Sequence, residues 1–182
     1  MTLYKTYVRS QLEYCSLLWH PQSIEDIGTI EGVQRTFTSK IFGISHMNYW
    51  ERLESLNLMS LQRRRERFII IMMWKLLNGF APNDIQIESH HSERLGLQVD
   101  LPRIPRECRS RVRTRFDLSF AYVGPRLWNV LPKKLNLIGE MDEFKRELTR
   151  FVLSLPDKPP VQGYVRANNN SLLEVAVGIT PS

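Results

Sequence analysis

The sequence SLQRRRERFIIIMMWKLLNG, residues 60–79, is the segment around which the rest of the chain is organised. Ser60 is a favourable N-cap, and Gly79, with Pro82 just beyond it, is a favourable helix terminator. The apolar run 68–74 would also suit a buried strand, because three of its residues are β-branched isoleucines. The cap, the terminator and the long helix-forming lead-in favour a helix. A helix that is apolar on all sides must be surrounded by other elements, so the sequence predicts a central core helix.

The composition is that of a folded intracellular protein. The 182 residues fit one domain with or without a tail, and an apolar share of 42% is ordinary for such a domain. Cys15 and Cys108 are too few for a disulfide framework and too far apart for a metal-binding pair. The N-terminus lacks the pattern of a signal peptide, and no apolar run approaches the ~20 residues that cross a bilayer. We therefore expect a nuclear or cytoplasmic protein that is not secreted and does not contact a membrane.

Residues 2–20 predict a first helix, because apolar side chains recur there with a 3.6-residue period. The positions of this stripe are Tyr4, Val8, Leu12, Cys15 and Trp19. The spacing predicts that they share one buried face.

Capping patterns place two more helices before the central one. Ser23 caps a helix that ends at Gly43, and Asn48, with Glu51 three positions later, caps a short helix that Asn57 breaks. Short loops between successive helices indicate antiparallel neighbours. We therefore expect residues 1–79 to form a small helical bundle that folds as the cooperative unit.

The remainder divides into three segments. Residues 80–123 are irregular and basic, although alternation over 95–101 permits one short strand. Residues 124–155 form a C-terminal helical segment, and residues 156–182, rich in Pro and Asn, are predicted to be a disordered tail. The predicted fold class is mainly α: a small antiparallel helical bundle with a long irregular basic segment, a separate C-terminal helix and a disordered tail.

The positive charge is concentrated in one part of the chain. Residues 94–115 contain seven arginines against Asp100 and Glu107, a local excess of 7 − 2 = +5, whereas the whole chain carries +6. Local basicity of this kind is typical of a segment that binds a polyanion, although a solvated basic loop would have the same composition.

At the end of that segment, from Arg109 to Arg115, every second residue is an arginine. This arginine row consists of Arg109, Arg111, Arg113 and Arg115. In an extended chain all four side chains lie on one face, about 6.6–6.8 Å apart, where they would match successive phosphates. An exposed edge strand protected by charge is the alternative.

Three arginines at the start of the central helix are further candidates for nucleic-acid binding. They are Arg63, Arg64 and Arg67, and their alternative role is ordinary packing around a core with the charged group at the surface. The sequence contains no glycine-rich phosphate loop, no metal-binding motif and no pattern that marks a nucleophile, so we predict no catalytic residue, no metal and no cofactor.

Four blocks in a fixed order resemble the region after the polymerase palm, and the C-terminal segment, of jockey-like non-LTR retrotransposon reverse transcriptases. The blocks are LYKTYVRSQLEYCSLLW at 3–19, IEGVQR at 30–35, RLESLNL at 52–58 leading into LQRRR at 61–65, and GPRLWNVLP at 124–132 followed by Phe144 and Lys145. The resemblance covers roughly residues 3–155, and the chain looks like a truncated reading frame or a fragment.

The resemblance implies a thumb-like bundle at residues 1–79 that grips a template–primer duplex through its backbone. The polymerase chemistry of that family needs palm aspartates that hold two metal ions. This chain has no Asp-Asp pair, so for this chain alone we expect no enzyme activity.

The expected partner is an RNA–DNA duplex or a single-stranded nucleic acid. A thumb without its palm also leaves apolar surface uncovered, so we expect some self-association through an exposed apolar patch. The alternative is a helical protein-interaction or structural module that has no role in nucleic-acid binding.

Overall fold

The computed structural model describes residues 2–19, 21, 23–81, 87–103, 119–155, 157 and 170–175. The described elements, in chain order, are a π-helical turn at Tyr4–Val8, α1 Arg9–Glu13, α2 Ser16–Trp19, α3 Ile24–Ser39, α4 Tyr49–Ser55, α5 Leu61–Leu77, β1 Ser89–Ser92, β2 Gly96–Val99, α6 Phe120–Asn129, α7 Lys133–Asn136, α8 Met141–Ser154 and α9 Leu172–Val175. The mainly helical fold class is confirmed. No helix in this described part is long and apolar enough to cross a membrane.

The central helix α5 begins and ends as its sequence predicts. The Ser60 hydroxyl accepts the Arg63 N–H at 3.4 Å, and Gly79 follows the helix with a φ of +74°, a conformation that favours glycine. The helix contacts α2 and α3 on one side and α6 and α8 on the other. Its position in the centre of the fold explains why its second half, residues 68–77, is apolar at every position except Lys75.

The main hydrophobic core lies between α5, α6 and α8. Its largest buried members are Ile70, Met73, Trp74, Leu127, Trp128, Phe144 and Leu148. At the closest approach, a Cβ on Gly124 would lie 2.7 Å from Met73 Sδ, so this glycine lets α6 pack directly on α5. The core therefore contains residues from both sides of the predicted segment boundary at residue 79, and α6 extends across the predicted segment boundary at residue 123. The preceding elements do not surround α5, whose largest buried side chains also pack against the C-terminal helices α6 and α8.

The N-terminal segment differs most from its prediction. Instead of the expected single helix over residues 2–20, the segment contains a π-helical turn followed by two short helices. The two short helices are separated at Cys15, where φ is +51°. Of the predicted stripe only Tyr4 is buried, whereas Val8 and Trp19 are both 39% exposed. A π-helical turn has more residues per turn than an α-helix, so the 3.6-residue period does not keep these side chains on one face.

Both capping predictions before α5 are confirmed. The Ser23 hydroxyl accepts the Asp26 N–H at 3.0 Å at the start of α3. At the start of α4, the Asn48 side chain accepts the Glu51 N–H at 3.1 Å, and the Glu51 carboxylate accepts the Asn48 N–H at 3.0 Å. These caps are local, which is why the sequence alone identifies them.

The permitted strand in residues 95–101 is present as β2, and β1 pairs with it in an antiparallel hairpin. Side chains of α6 hold the hairpin in place. Asn129 accepts the Val99 N–H at 2.9 Å and donates to the Val99 carbonyl at 2.8 Å, while Trp128 Nε1 donates to the Leu97 carbonyl at 2.9 Å. Long-range side-chain contacts thus order a hairpin that local periodicity only suggested.

The prediction of a wholly disordered tail is wrong for residues 170–175, which we call the C-terminal strap. The strap contains α9, and its Leu172 is fully buried in the main core. Asn170 and Ser171 are buried as well. The six residues are too short to show a period, so their packing leaves no local signal in the sequence.

Candidate nucleic-acid interface

Arg63 is an internal residue of the fold. Its side chain is 1% exposed and forms an ion pair with Asp157, with 3.2 Å between Nε and Oδ1. The guanidinium donates to the Asn170 carbonyl at 3.0 Å, to the Val152 carbonyl at 3.3 Å, and to the Leu155 carbonyl. This geometry supports a structural role, the fastening of the C-terminal strap to α5, and offers no guanidinium surface to a phosphate.

Glu66, one turn after Arg63, holds the same strap. It is 3% exposed, and its carboxylate accepts the Leu172 N–H at 2.8 Å. Burial raises the pKa of Glu66 to about 7, opposed by that N–H, by the Ser171 side chain and by the charges of Arg63 and Arg65. The strap is therefore attached to α5 by two buried side chains, those of Arg63 and Glu66.

We expect the stability contributed by Glu66 to decrease as pH rises. Because its folded-state pKa of about 7 exceeds the ordinary value of 4.5, folding favours the protonated form. The contribution is fully present below pH 4.5, is lost as pH rises to about 7, and is constant above that. Urea unfolding at several pH values should show Glu66→Gln and the wild type differing little at pH 5, with the wild type relatively weaker at pH 8. A difference that is independent of pH contradicts this titration.

Arg65 is also buried, at 1% exposure. Within the described residues, its Nε and Nη2 have no hydrogen-bond partner. Burial lowers its pKa, and the carboxylates of Glu31 and Glu66 raise it. Its charge is thus balanced inside the protein.

Arg64 and Arg67 lie on the half-buried face of α5. Arg64 forms an ion pair with Glu13, with 3.0 Å between Nη2 and Oε2. Arg67 Nε donates to the Thr149 hydroxyl at 3.0 Å, and its Nη2 donates to the Lys145 carbonyl at 3.4 Å. Both guanidinium groups are anchored but remain partly accessible to solvent.

Arg9 joins these two residues, although the sequence did not single it out. Its Nε lies 3.5 Å from Glu13 Oε1. Burial lowers the pKa of both Arg9 and Arg67, and the nearby charge of Arg64 lowers it further in each case. Arg9 and Arg64 therefore share one carboxylate, and the charges of Arg64 and Glu13 also act on Arg67. We call Arg9, Arg64 and Arg67, with Glu13, the arginine cluster. The four-residue spacing of Arg9 and Glu13, typical of a helical ion pair, was the available signal.

The arginine row at Arg109, Arg111, Arg113 and Arg115 lies outside the described residues. Its predicted role therefore stays a prediction. Among the residues that are described, no group of three or more His, Cys, Asp or Glu side chains is arranged to hold a metal ion.

Buried hydrogen bonds connect the N-terminal segment, α3 and α4 to the start of α5. The Tyr4 hydroxyl donates to Gln34 Oε1 at 2.9 Å, and Gln34 Nε2 donates to the Tyr49 hydroxyl at 3.1 Å. The Tyr49 hydroxyl donates in turn to the Glu31 carboxylate, which also accepts the Leu61 N–H at 3.0 Å. Burial raises the pKa of Glu31 and, with the charge of Glu31, raises that of Tyr4 to about 12.

These bonds join the blocks that carry the resemblance. Tyr4 belongs to the first block, Glu31 and Gln34 to the second, and Leu61 to the third. The fourth block, in α6, packs on α5 and holds the hairpin. Each block thus makes a long-range contact, and the first and third also supply Arg9, Glu13 and Arg64 of the arginine cluster.

Comparison of the chain with models of protein families, with curated proteins and with solved structures gives no match. The resemblance to reverse transcriptases stays a prediction from the sequence.

Proposed function

We propose that this chain is a basic helical module that binds the phosphate backbone of nucleic acid. The arginine cluster carries the proposal, because Arg9, Arg64 and Arg67 share Glu13 as their nearby carboxylate and keep an excess of positive charge. Guanidinium groups match phosphate oxygens through paired hydrogen bonds. Anchoring by Thr149 fixes Arg67 before a ligand arrives, which lowers the entropic cost of binding.

We further propose that the module corresponds to the thumb and C-terminal part of a jockey-like non-LTR reverse transcriptase. The support is the order of the four sequence blocks and their convergence on α5. With no Asp-Asp pair in the chain, the module would contribute grip on an RNA–DNA template–primer and no catalytic group.

A salt titration with a labelled RNA–DNA duplex tests the proposal. The logarithm of the association constant should fall linearly with the logarithm of salt concentration, by about 0.9 unit for each phosphate contact. The double variant Arg64→Gln/Arg67→Gln should flatten this slope by about 1–2 units, equally for unrelated duplex sequences.

The matched control is Lys133→Gln/Lys134→Gln, which removes two exposed positive charges from α7. Equal effects of the two double variants would mean that only net charge matters. Neutralising the arginine row in a separate variant measures its contribution independently. If the wild type binds neither the duplex nor a single strand even at low salt, the proposed function is wrong.

Exposed apolar side chains of the N-terminal segment favour a second candidate, a protein-interaction module. Leu3, Tyr7, Tyr14 and Leu18 are all largely exposed, and Tyr7, the least exposed of them, is at 68%. Large apolar side chains exposed together mark contact surfaces in many proteins. Sedimentation that depends on protein concentration, without duplex binding, would favour this candidate.

A further inference from the structure

A groove continues along α5 from the arginine cluster. It has a volume of about 240 Å³ and lies between α5 and the segment around α2. Its floor is mostly apolar and consists of Leu17, Phe68, Ile71 and Met72. We call it the α5 groove.

A cation lies at or beside each end of the α5 groove. At one end, Arg64 Cζ lies 5.6 Å from the centre of the Phe68 ring, so the cluster is in direct contact with the groove floor. At the other end the groove is lined by Lys75. Eleven residues of α-helix separate Arg64 from Lys75, which corresponds to about 16 Å. Glu13, the carboxylate at the rim, is already paired with Arg64.

We infer that the α5 groove holds unpaired bases of a single-stranded nucleic acid whose phosphates lie on the arginine cluster. The inference rests on the proposed function and specifies its ligand. A strand alternates anionic phosphates with flat apolar bases, which matches basic ends on either side of an apolar floor. Bases in a duplex are stacked inside and do not reach such a floor, whereas unpaired bases stack on aromatic side chains.

The groove fits a strand better than a helix of a partner protein. A docked amphipathic helix needs an apolar trough that accepts anchors over two or more turns. Here one side of the groove is formed around α2, which has only four residues. Planar guanidinium groups at its end can bind phosphate oxygens through paired hydrogen bonds.

The test compares three labelled ligands on the full chain: a uridine 12-mer, an abasic 12-mer with the same phosphates, and an RNA–DNA duplex. We expect the uridine strand to bind at least about five-fold more tightly than the abasic strand. Phe68→Leu keeps an apolar side chain at this half-buried site but removes the ring, and it should reduce uridine-strand affinity towards the abasic value. Its abasic-strand affinity should not change. Met72→Ala, on the same floor, provides a second variant if Phe68→Leu does not fold.

The other outcomes distinguish failure of the groove inference from failure of the proposed function. Equal binding of the abasic and uridine strands overturns the groove inference and leaves phosphate binding intact. If none of the three ligands binds, the proposed function fails as well. If Phe68→Leu and Met72→Ala instead abolish self-association and leave strand affinity unchanged, the groove is a protein contact and the inference is overturned.

Discussion

We expect Trp74→Ala to lower the free energy of unfolding by about 3–5 kcal/mol, the range for a buried aromatic residue replaced by alanine. The Trp74 side chain is 1% exposed, and its ring centre lies 5.7 Å from that of Phe144. Its Nε1 donates to the Ile138 carbonyl at 2.8 Å. The substitution therefore leaves a cavity between α5 and α8 and removes the donor of that hydrogen bond. Urea unfolding followed by circular dichroism measures the loss.

Phe80→Ala is the matched control for this prediction. The Phe80 ring also stacks on the Trp74 ring, with 5.4 Å between the ring centres, but Phe80 is 66% exposed. Its removal should cost only about 0.5–1.5 kcal/mol, because most of the ring is already in water. If the two variants have the same denaturation midpoint, Trp74 is not part of the main core.

Local signals in the sequence predicted the helix boundaries. The caps at Ser23, Asn48 and Ser60 depend on contacts within three residues, so they can be identified without knowing the fold. The central position of α5 was predicted from its second half, residues 68–77, which is apolar at every position except Lys75. A polar cap and an unbroken apolar run define the helix. The same two features are thus sufficient to place it at the core.

Contacts between distant residues were not predictable in this way. Arg63 and Asn170 are separated by 107 positions, and neither has a local pattern that indicates the other. The π-helical turn similarly breaks the period on which the first helix was predicted. The position of the core and the order of the C-terminal strap depend on such contacts, which explains why the predicted segment boundaries differ from the packing.

The sequence identified the arginines of the candidate interface but not which of them are exposed, because their exposure also depends on contacts between distant residues. Four arginines within residues 63–67 look equivalent in sequence, but their partners divide them into two buried residues, Arg63 and Arg65, and two partly exposed ones, Arg64 and Arg67. Arg9 reaches them only through the tertiary fold, in which Glu13 of α1 pairs with Arg64 of α5. The spacing of i and i+3 places Arg64 and Arg67 on one face, but only the fold determines which face is turned outward.

We expect Arg63→Ala to destabilise the protein by about 3–5 kcal/mol, because it removes one partner of a buried ion pair. Asp157 would lose its nearby cation, and the carbonyl of Asn170 would lose its guanidinium donor. Loss of the donor at Asn170 should also loosen the C-terminal strap, so the Leu172 amide should exchange with solvent faster than amides in α5. Chemical unfolding and hydrogen exchange measure these two effects.

Arg64→Ala distinguishes this mechanism from a general effect of removing positive charge. Arg64 also pairs with a carboxylate, that of Glu13, but its side chain is 19% exposed against 1% for Arg63. Water can replace its hydrogen bonds, so the cost should be about 1 kcal/mol or less, with Leu172 exchange unchanged. Equal destabilisation by the two variants would mean that the burial of Arg63 does not determine how much its ion pair contributes to stability. Destabilisation by Arg63→Ala without faster Leu172 exchange would likewise contradict the attachment of the strap by Arg63.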